Sequence, residues 1–289
     1  MSSATNSAPV RTAAKHLAHL VACVALITAC TTDGRIPPSS ETDPSMNSHA
    51  TLAPSVRQRW IPTSGTPWQW QLTTPVDTGA NVPVYDIDGV ENGPEVVQAL
   101  HAKGRKVICY VNTGAAETFR PDYHAFPSGV LGKPNGWKGE QSLDIRQLDT
   151  LRPIMAARFD LCRRSGFDAI EADLVDGYTN DTGFPLSAND QLAYNRMLAD
   201  LSHERGLSIG LKNDLNQISA LINYFDFAIN EECAKYGECD KLTPFIRAGK
   251  AVFHVEYELR NAQFCAMTTA LHFSSMRKNL NLDAPRWPC

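Results

Sequence analysis

The feature that most restricts this chain is an alternation of short apolar runs with stretches of helical spacing, repeated from Trp68 to Val255. Strand-like runs cover Trp68 to Leu72, Val82 to Ile87, Lys106 to Val111, Phe167 to Leu174, Leu207 to Leu211, Phe225 to Ile229 and Ala251 to Val255. Helical spacing covers Pro94 to Lys103, Gln147 to Ser165, Ala188 to Arg205, Leu215 to Asn223 and Thr243 to Ala248, with Gly104, Gly166, Gly206 and Gly249 as stops. Strands that are apolar on both faces and separated by helices require a parallel sheet covered by helices. A doubly wound sheet and a closed barrel both meet that requirement. No G-x-G-x-x-G follows any strand, and polar residues crowd the ends of many strands rather than one crevice. The expected fold is therefore α/β, a single-domain (β/α)8 TIM barrel over residues 60–289.

The strand ends carry the chemistry. They read Asp86-Ile87-Asp88, Asn112, Glu171-Ala172-Asp173, Lys212-Asn213-Asp214, Asn230-Glu231-Glu232 and Glu256-Tyr257-Glu258. In a (β/α)8 barrel that end is the active-site mouth. Side chains alternate along a strand, so Glu171 and Asp173 share a face, with Asp173 nearer the mouth; Phe227, Ile229 and Glu231 share another. Two carboxylates facing each other across a sugar supply the proton and the negative charge that glycosidic cleavage needs. Asp173 and Glu231 are the expected catalytic pair. Trp70, Tyr85, Asp86, Asp88, Glu171, Asp176, Tyr178, Lys212, Asn213 and Glu256 are the expected substrate-binding set. Trp68, Tyr110, Tyr257 and the loop residue Trp137 add flat rings of the kind that stack on sugar faces. The competing structural reading is that these acids pair with Lys212 or cap the helices that follow.

Outside the barrel the chain reads differently. Arg11 and Lys15 precede an apolar stretch, Leu17 to Ala29, too short to span a bilayer. It ends in Ile27-Thr28-Ala29-Cys30, which resembles a bacterial lipobox. Residues 1–29 are expected to be a lipoprotein signal peptide, Cys30 the lipidated residue, and 30–59 a Ser/Thr/Pro-rich tether. The expected location is outside the cytoplasm, anchored by lipid to a bacterial membrane, with the outer membrane favoured because Thr31 follows the cysteine. The formal charge of −4 deepens to −6 without residues 1–29, and no basic stripe appears, which argues against nucleic acid as a partner. The expected protein is a monomer that meets the membrane through its lipid alone.

Six cysteines remain after Cys23 and Cys30. Cys233 and Cys239 suit a small disulfide loop, and Cys265 and Cys289 a bond tying the tail to the last helix; Cys109 and Cys162 read as buried thiols. With no C-x-x-C, H-x-H or H-E-x-x-H, neither a metal nor another cofactor is expected, and a metal-dependent deacetylase is disfavoured.

Eight ordered runs make a family recognisable: Trp68-Gln69-Trp70-Gln71-Leu72, Tyr85-Asp86-Ile87-Asp88, Lys106-Val107-Ile108-Cys109-Tyr110, Leu143-Asp144-Ile145-Arg146, Glu171-Ala172-Asp173, Asp176-Gly177-Tyr178, Gly210-Leu211-Lys212-Asn213-Asp214 and Asn230-Glu231-Glu232-Cys233. Together they resemble glycoside hydrolase family 114, the endo-α-1,4-polygalactosaminidases. The resemblance spans Trp60 to Cys289. It implies an endo-acting hydrolase of α-1,4-linked galactosamine polysaccharide, with Asp173 and Glu231 as the acids. The family often has Asn where this chain has Leu174, beside the catalytic Asp. The competing expectation is a surface protein that binds carbohydrate on the same scaffold without cleaving it.

Overall fold

The computed structural model describes residues 59–289. The expected signal peptide, the lipidated Cys30 and nearly all of the tether lie outside the described residues. Along the chain come β1 (Trp68–Gln71), β2 (Val84–Asp88), α1 (Pro94–His101), β3 (Lys106–Asn112), β4 (Ala115–Glu117), β5 (Leu131–Pro134) and β6 (Glu140–Leu143). Then follow α2 (Leu148–Ser165), β7 (Ala169–Asp173), α3 (Ala188–Glu204), β8 (Ser208–Lys212), α4 (Ile218–Leu221) and β9 (Phe227–Glu231). The chain closes with α5 (Cys233–Tyr236), α6 (Thr243–Arg247), β10 (Val252–Glu256), α7 (Asn261–Ala270), β11 (Ser274–Lys278) and β12 (Arg286–Pro288).

The large sheet runs β1-β2-β3-β7-β8-β9-β10-β11-β12, and every pair is parallel except the last. Its first eight strands form a nearly closed, TIM-like barrel, as expected. The seam between β11 and β1 is bridged by the C-terminal segment. Arg286 donates to the Trp68 carbonyl, Gln69 to the Ala284 carbonyl and the Leu72 amide to the Leu282 carbonyl, at 2.9, 2.7 and 2.9 Å. Trp68 Nε1 donates directly across to the Ser274 carbonyl, 2.9 Å away.

Two departures from a regular (β/α)8 unit stand out. No helix joins β1 to β2, and a small antiparallel sheet, β4-β6-β5, is inserted after β3 at the mouth. It is polar and short-stranded, so no hydrophobic period announces it in the sequence.

Period-two alternation divides the core into two layers. Inside the barrel lie Trp68, Trp70, Ile108, Ala169, Phe227, Ile229, Phe253, Val255 and Met276. The intervening residues, such as Tyr85, Ile87, Val107, Cys109, Ile170, Ile209, Ala228 and Val252, pack outward against the helices. This double burial explains why the strands read as continuous apolar runs.

Local signals set the helix limits. α2 ends on Gly166, whose φ of +91° is costly for any residue with a Cβ. α3 starts in a reciprocal box, with the Ser187 hydroxyl accepting from the Asp190 amide and the Asp190 carboxylate from the Ser187 amide.

Three disulfides tie the fold: Cys109–Cys162, Cys233–Cys239 and Cys265–Cys289. The last two match expectation; the first corrects the reading of Cys109 and Cys162 as thiols. Cys109 points outward from β3, and Cys162 is on the face of α2 that covers it. Gly89 leaves the room, since a Cβ there would sit 2.1 Å from the Cys109 sulfur.

Candidate active site

The mouth is organised around one ammonium. Lys212, at the end of β8, is 4% exposed in its side chain and sits 2.9 Å from Asp173 Oδ1, 3.1 Å from Glu231 Oε2 and 3.3 Å from Glu171 Oε1. An ammonium has three hydrogens, and three carboxylates surround it. Burial alone would push its pKa down, but Asp173, Glu231 and Glu171 outweigh burial and hold it well above the usual lysine range. From one side the ammonium faces the Trp70 ring, 4.7 Å from the centroid.

The remaining oxygen of each outer acid accepts from a phenol. Tyr110 donates to Asp173 Oδ2 at 2.8 Å, and Tyr257 donates to Glu231 Oε1. Burial and then the adjacent carboxylate push both phenols well above their ordinary pKa, so each stays a donor. Asp173 and Glu231 are thus held alike, one oxygen on Lys212 and the other on a tyrosine. Asp173 is 16% and Glu231 28% exposed in the side chain, so both reach solvent. Behind them, Asn213 Oδ1 accepts from the Glu231 amide at 3.0 Å and from Asn230 Nδ2 at 3.1 Å. Thr113 donates through both amide and hydroxyl to the Asp173 carbonyl.

Further acids ring this centre. Burial, then the charge of Asp173, raises Asp176 to about 6. Burial, then the charge of Asp176, raises Asp214 to about 8, and Asn195 donates to its Oδ2 at 3.0 Å. Tyr178 follows Asp176 in its loop, and burial, then the charge of Asp214, raises its phenol above the ordinary value. On the rim, Asn112 and Asn135 both donate to Glu140 Oε2, at 3.1 and 2.9 Å, tying the β5–β6 loop to the end of β3. That loop carries Trp137, 38% exposed, and the neighbouring Phe119 is 53% exposed.

The expected binding set therefore divides. Lys212, Asp176, Tyr178 and Asn213 gather at the mouth around Asp173 and Glu231. Glu171, Asp86 and Trp70 lie beneath Lys212 and are buried, so they support the site rather than line it.

Three expectations are corrected. Tyr85 points into the outer layer, where its hydroxyl donates to the Ala80 carbonyl at 2.8 Å and Arg105 covers its ring. Glu256 also points outward, accepting from the Ala234 amide and His254 Nε2, both at 2.9 Å, and so secures the start of α5. Asp88 is 1% exposed and taken up by Arg120 and by the amides of Val90 and Glu91.

Tyr110 and Tyr257 were expected as stacking rings; they act instead through their hydroxyls. Their positions, two residues on from Ile108 and Val255 on the inward face, are the signal that marks them.

Among the described residues, one group brings metal-ligating atoms together, Cys233, Cys239 and His254, within 4.8 Å of one another. The two sulfurs are bonded to each other, and His254 is held by Glu256 and Ser275, so the donors are already committed.

Known proteins share this fold. A crystal structure of Aspergillus fumigatus Ega3 in complex with galactosamine is 36% identical, covering 80% of this chain and 98% of that one, with a TM-score of 0.76. The glycoside hydrolase domain of PelA from Pseudomonas aeruginosa shares the fold at 12% identity and a TM-score of 0.59, covering 76% of this chain and 96% of that one. A Deinococcus radiodurans protein is 28% identical over 116 residues, 38% of this chain; the match spans 37% of that curated relative's length. The pattern of glycoside-hydrolase family GH114 matches residues 49–289, and the chain belongs to that family.

Proposed function

We propose that the protein is an endo-acting glycosidase that cleaves α-1,4-linked, galactosamine-containing polysaccharide by a two-carboxylate mechanism. The observation that carries this reading is the pairing of Asp173 and Glu231 on one ammonium, at 2.9 and 3.1 Å. Two oxygens so placed lie no further apart than the sum of those distances. That is short of the ~6.5–9.5 Å that admits a water between carboxylates and fits the closer spacing of about 5–5.5 Å used in double displacement. The expected outcome is retention of configuration.

Asp173, the less exposed acid and ion-paired to Lys212, takes the part of nucleophile. Glu231, nearer the rim, protonates the glycosidic oxygen as the bond from that oxygen to C1 breaks and Asp173 bonds to C1. Water then gives its proton to Glu231 and displaces Asp173 from C1. Tyr110 and Tyr257 keep each carboxylate in position through both steps.

The carboxylates at the mouth favour a cationic polymer, and deacetylated galactosamine carries its amine as an ammonium. The galactosamine bound to Ega3 supports an amino sugar as the substrate unit. Export as a Cys30-anchored lipoprotein is part of the same proposal; three disulfides suit an oxidising compartment.

The test uses residues 31–289 produced in an oxidising compartment, incubated with partially deacetylated α-1,4-galactosaminogalactan, with oligosaccharide release followed by mass spectrometry. Asp173→Asn and Glu231→Gln are each expected to lower kcat by about 10²–10⁴-fold. Binding without release by a folded parent would replace the enzyme with a carbohydrate-binding protein.

A further inference from the structure

Directly beneath Lys212, β2 and β7 each turn an acid into the barrel. Asp86 and Glu171 are both 0% exposed. None of their four oxygens accepts a hydrogen bond from an N–H or O–H group among the described residues. Glu171 has the ion pair with Lys212 at 3.3 Å. Among the described residues Asp86 has no ion pair of its own; Lys212 hydrogen-bonds to Asp173 and forms ion pairs with Asp173, Glu231 and Glu171.

Neither acid fits the roles open to a surface carboxylate. Both are too deeply buried to touch a sugar, which removes the binding role expected from their strand-end positions. Nor are they inert filling, since a buried carboxyl without a donor costs free energy that a leucine would avoid. Two carboxylates facing each other away from water cannot both stay ionised; one keeps a proton and gives it to the other as a hydrogen bond. Burial, then the charge of Glu171, pushes Asp86 well up; burial also raises Glu171, to about 7, with Lys212 and then the contact with Asp86 pulling it back toward the ionised form.

We infer that Asp86 is a positioning residue, a carboxylic acid that stays protonated and donates to Glu171, so that Glu171 remains ionised and draws on the Lys212 ammonium from below. The consequence falls on the acids above, and so this inference rests on the glycosidase reading of Asp173 and Glu231. With Glu171 ionised, Lys212 is shared three ways and attracts Glu231 less strongly. A carboxyl held less strongly by the cation is the better general acid, so activity extends further on the alkaline side. If Glu171 loses its charge, Lys212 turns fully to Asp173 and Glu231, and the alkaline limb of activity moves to lower pH.

The experiment compares kcat/KM against pH for the parent, Asp86→Asn, Asp86→Leu and Glu171→Gln on the same soluble polymer. An asparagine amide donates the hydrogen bond that a protonated acid donates, so Asp86→Asn should keep the alkaline limb of the profile in place. Asp86→Leu removes the donor and Glu171→Gln removes the charge; each should move that limb down by about one pH unit. An alkaline limb unmoved in Glu171→Gln, or one displaced in Asp86→Asn as far as in Asp86→Leu, overturns the inference. A second readout needs neither turnover nor the glycosidase reading. The infrared spectrum of the parent at neutral pH should contain a protonated-carboxyl C=O band that Asp86→Asn lacks. A difference spectrum without that band overturns the inference even where no activity is found, whereas the band without oligosaccharide release by the parent removes only the glycosidase reading.

Discussion

At the floor of the barrel, Trp68, Phe227 and Phe253 fill the axis with rings, Trp68 and Phe253 with centroids 4.7 Å apart and Phe227 edge-on to Phe253 at 5.8 Å. At the opposite end of the barrel, the last inward positions of β7, β8 and β9 are Asp173, Lys212 and Glu231. On β9 the change is complete within one strand, from Phe227 through Ile229 to Glu231. The floor gains stability from apolar burial and packing. The mouth holds like charges together around one lysine, an arrangement with little net stabilisation to offer. The contrast shows that one backbone period serves both ends, and that the site's instability is borne by the layer beneath it.

The largest expected effects set the two halves side by side. Phe253→Ala should cost about 3–5 kcal/mol by urea unfolding, with kcat/KM of the folded variant within about 3-fold of the parent. Lys212→Met should cost a similar amount, about 3–5 kcal/mol, because three carboxylates lose their shared cation, but should also abolish turnover. Equal losses of activity in the two variants would break the division between floor and mouth.

A smaller effect concerns pH. Asp214 is raised to about 8 and Asp176 to about 6, each by burial first and then by a neighbouring acid; Glu117, raised by burial, stands at about 7. The unfolded chain releases these protons near pH 4, whereas the native state keeps them, so between about pH 4 and 8 the native state binds more protons. Stability should therefore be highest in mild acid and fall by several kcal/mol as pH rises from 5 to 8. Urea midpoints across that range check the sign, and Asp214→Asn should flatten the upper part of the slope.

The smallest effect lies beside Asp173. Leu174 adopts a φ of +59°, a conformation that asparagine tolerates better than leucine. Leu174→Asn, the residue frequent in the family, should raise stability by about 0.5–1 kcal/mol and leave kcat unchanged. A changed kcat would assign the family's asparagine a part in catalysis beyond shaping the backbone.

Much of this was legible before folding was considered. Alternation along β7 and β9 points Asp173 and Glu231 inward at the mouth, and the acids do meet there. The same rule carried one step further separates Glu256 from Val255 and Tyr257, and Tyr85 from Val84 and Asp86. It gives no warning of its own, because strands buried on both faces leave no polar side to mark the outside. The disulfide between Cys109 and Cys162 spans 53 residues and joins two apolar segments, so spacing offers no hint of it.

The sequence by itself determined the order of strands and helices, the parallel sheet and the inward facing of the two acids, since each follows from local periodicity and the steric preferences of neighbouring residues. Only the tertiary structure decided which acids share Lys212, that Tyr110 and Tyr257 serve as donors, and that Asp86 lies beneath the site with no ion pair of its own among the described residues. Those relations join residues on different strands, and the distances among them are set by closure of the barrel, to which no local stretch of sequence has access.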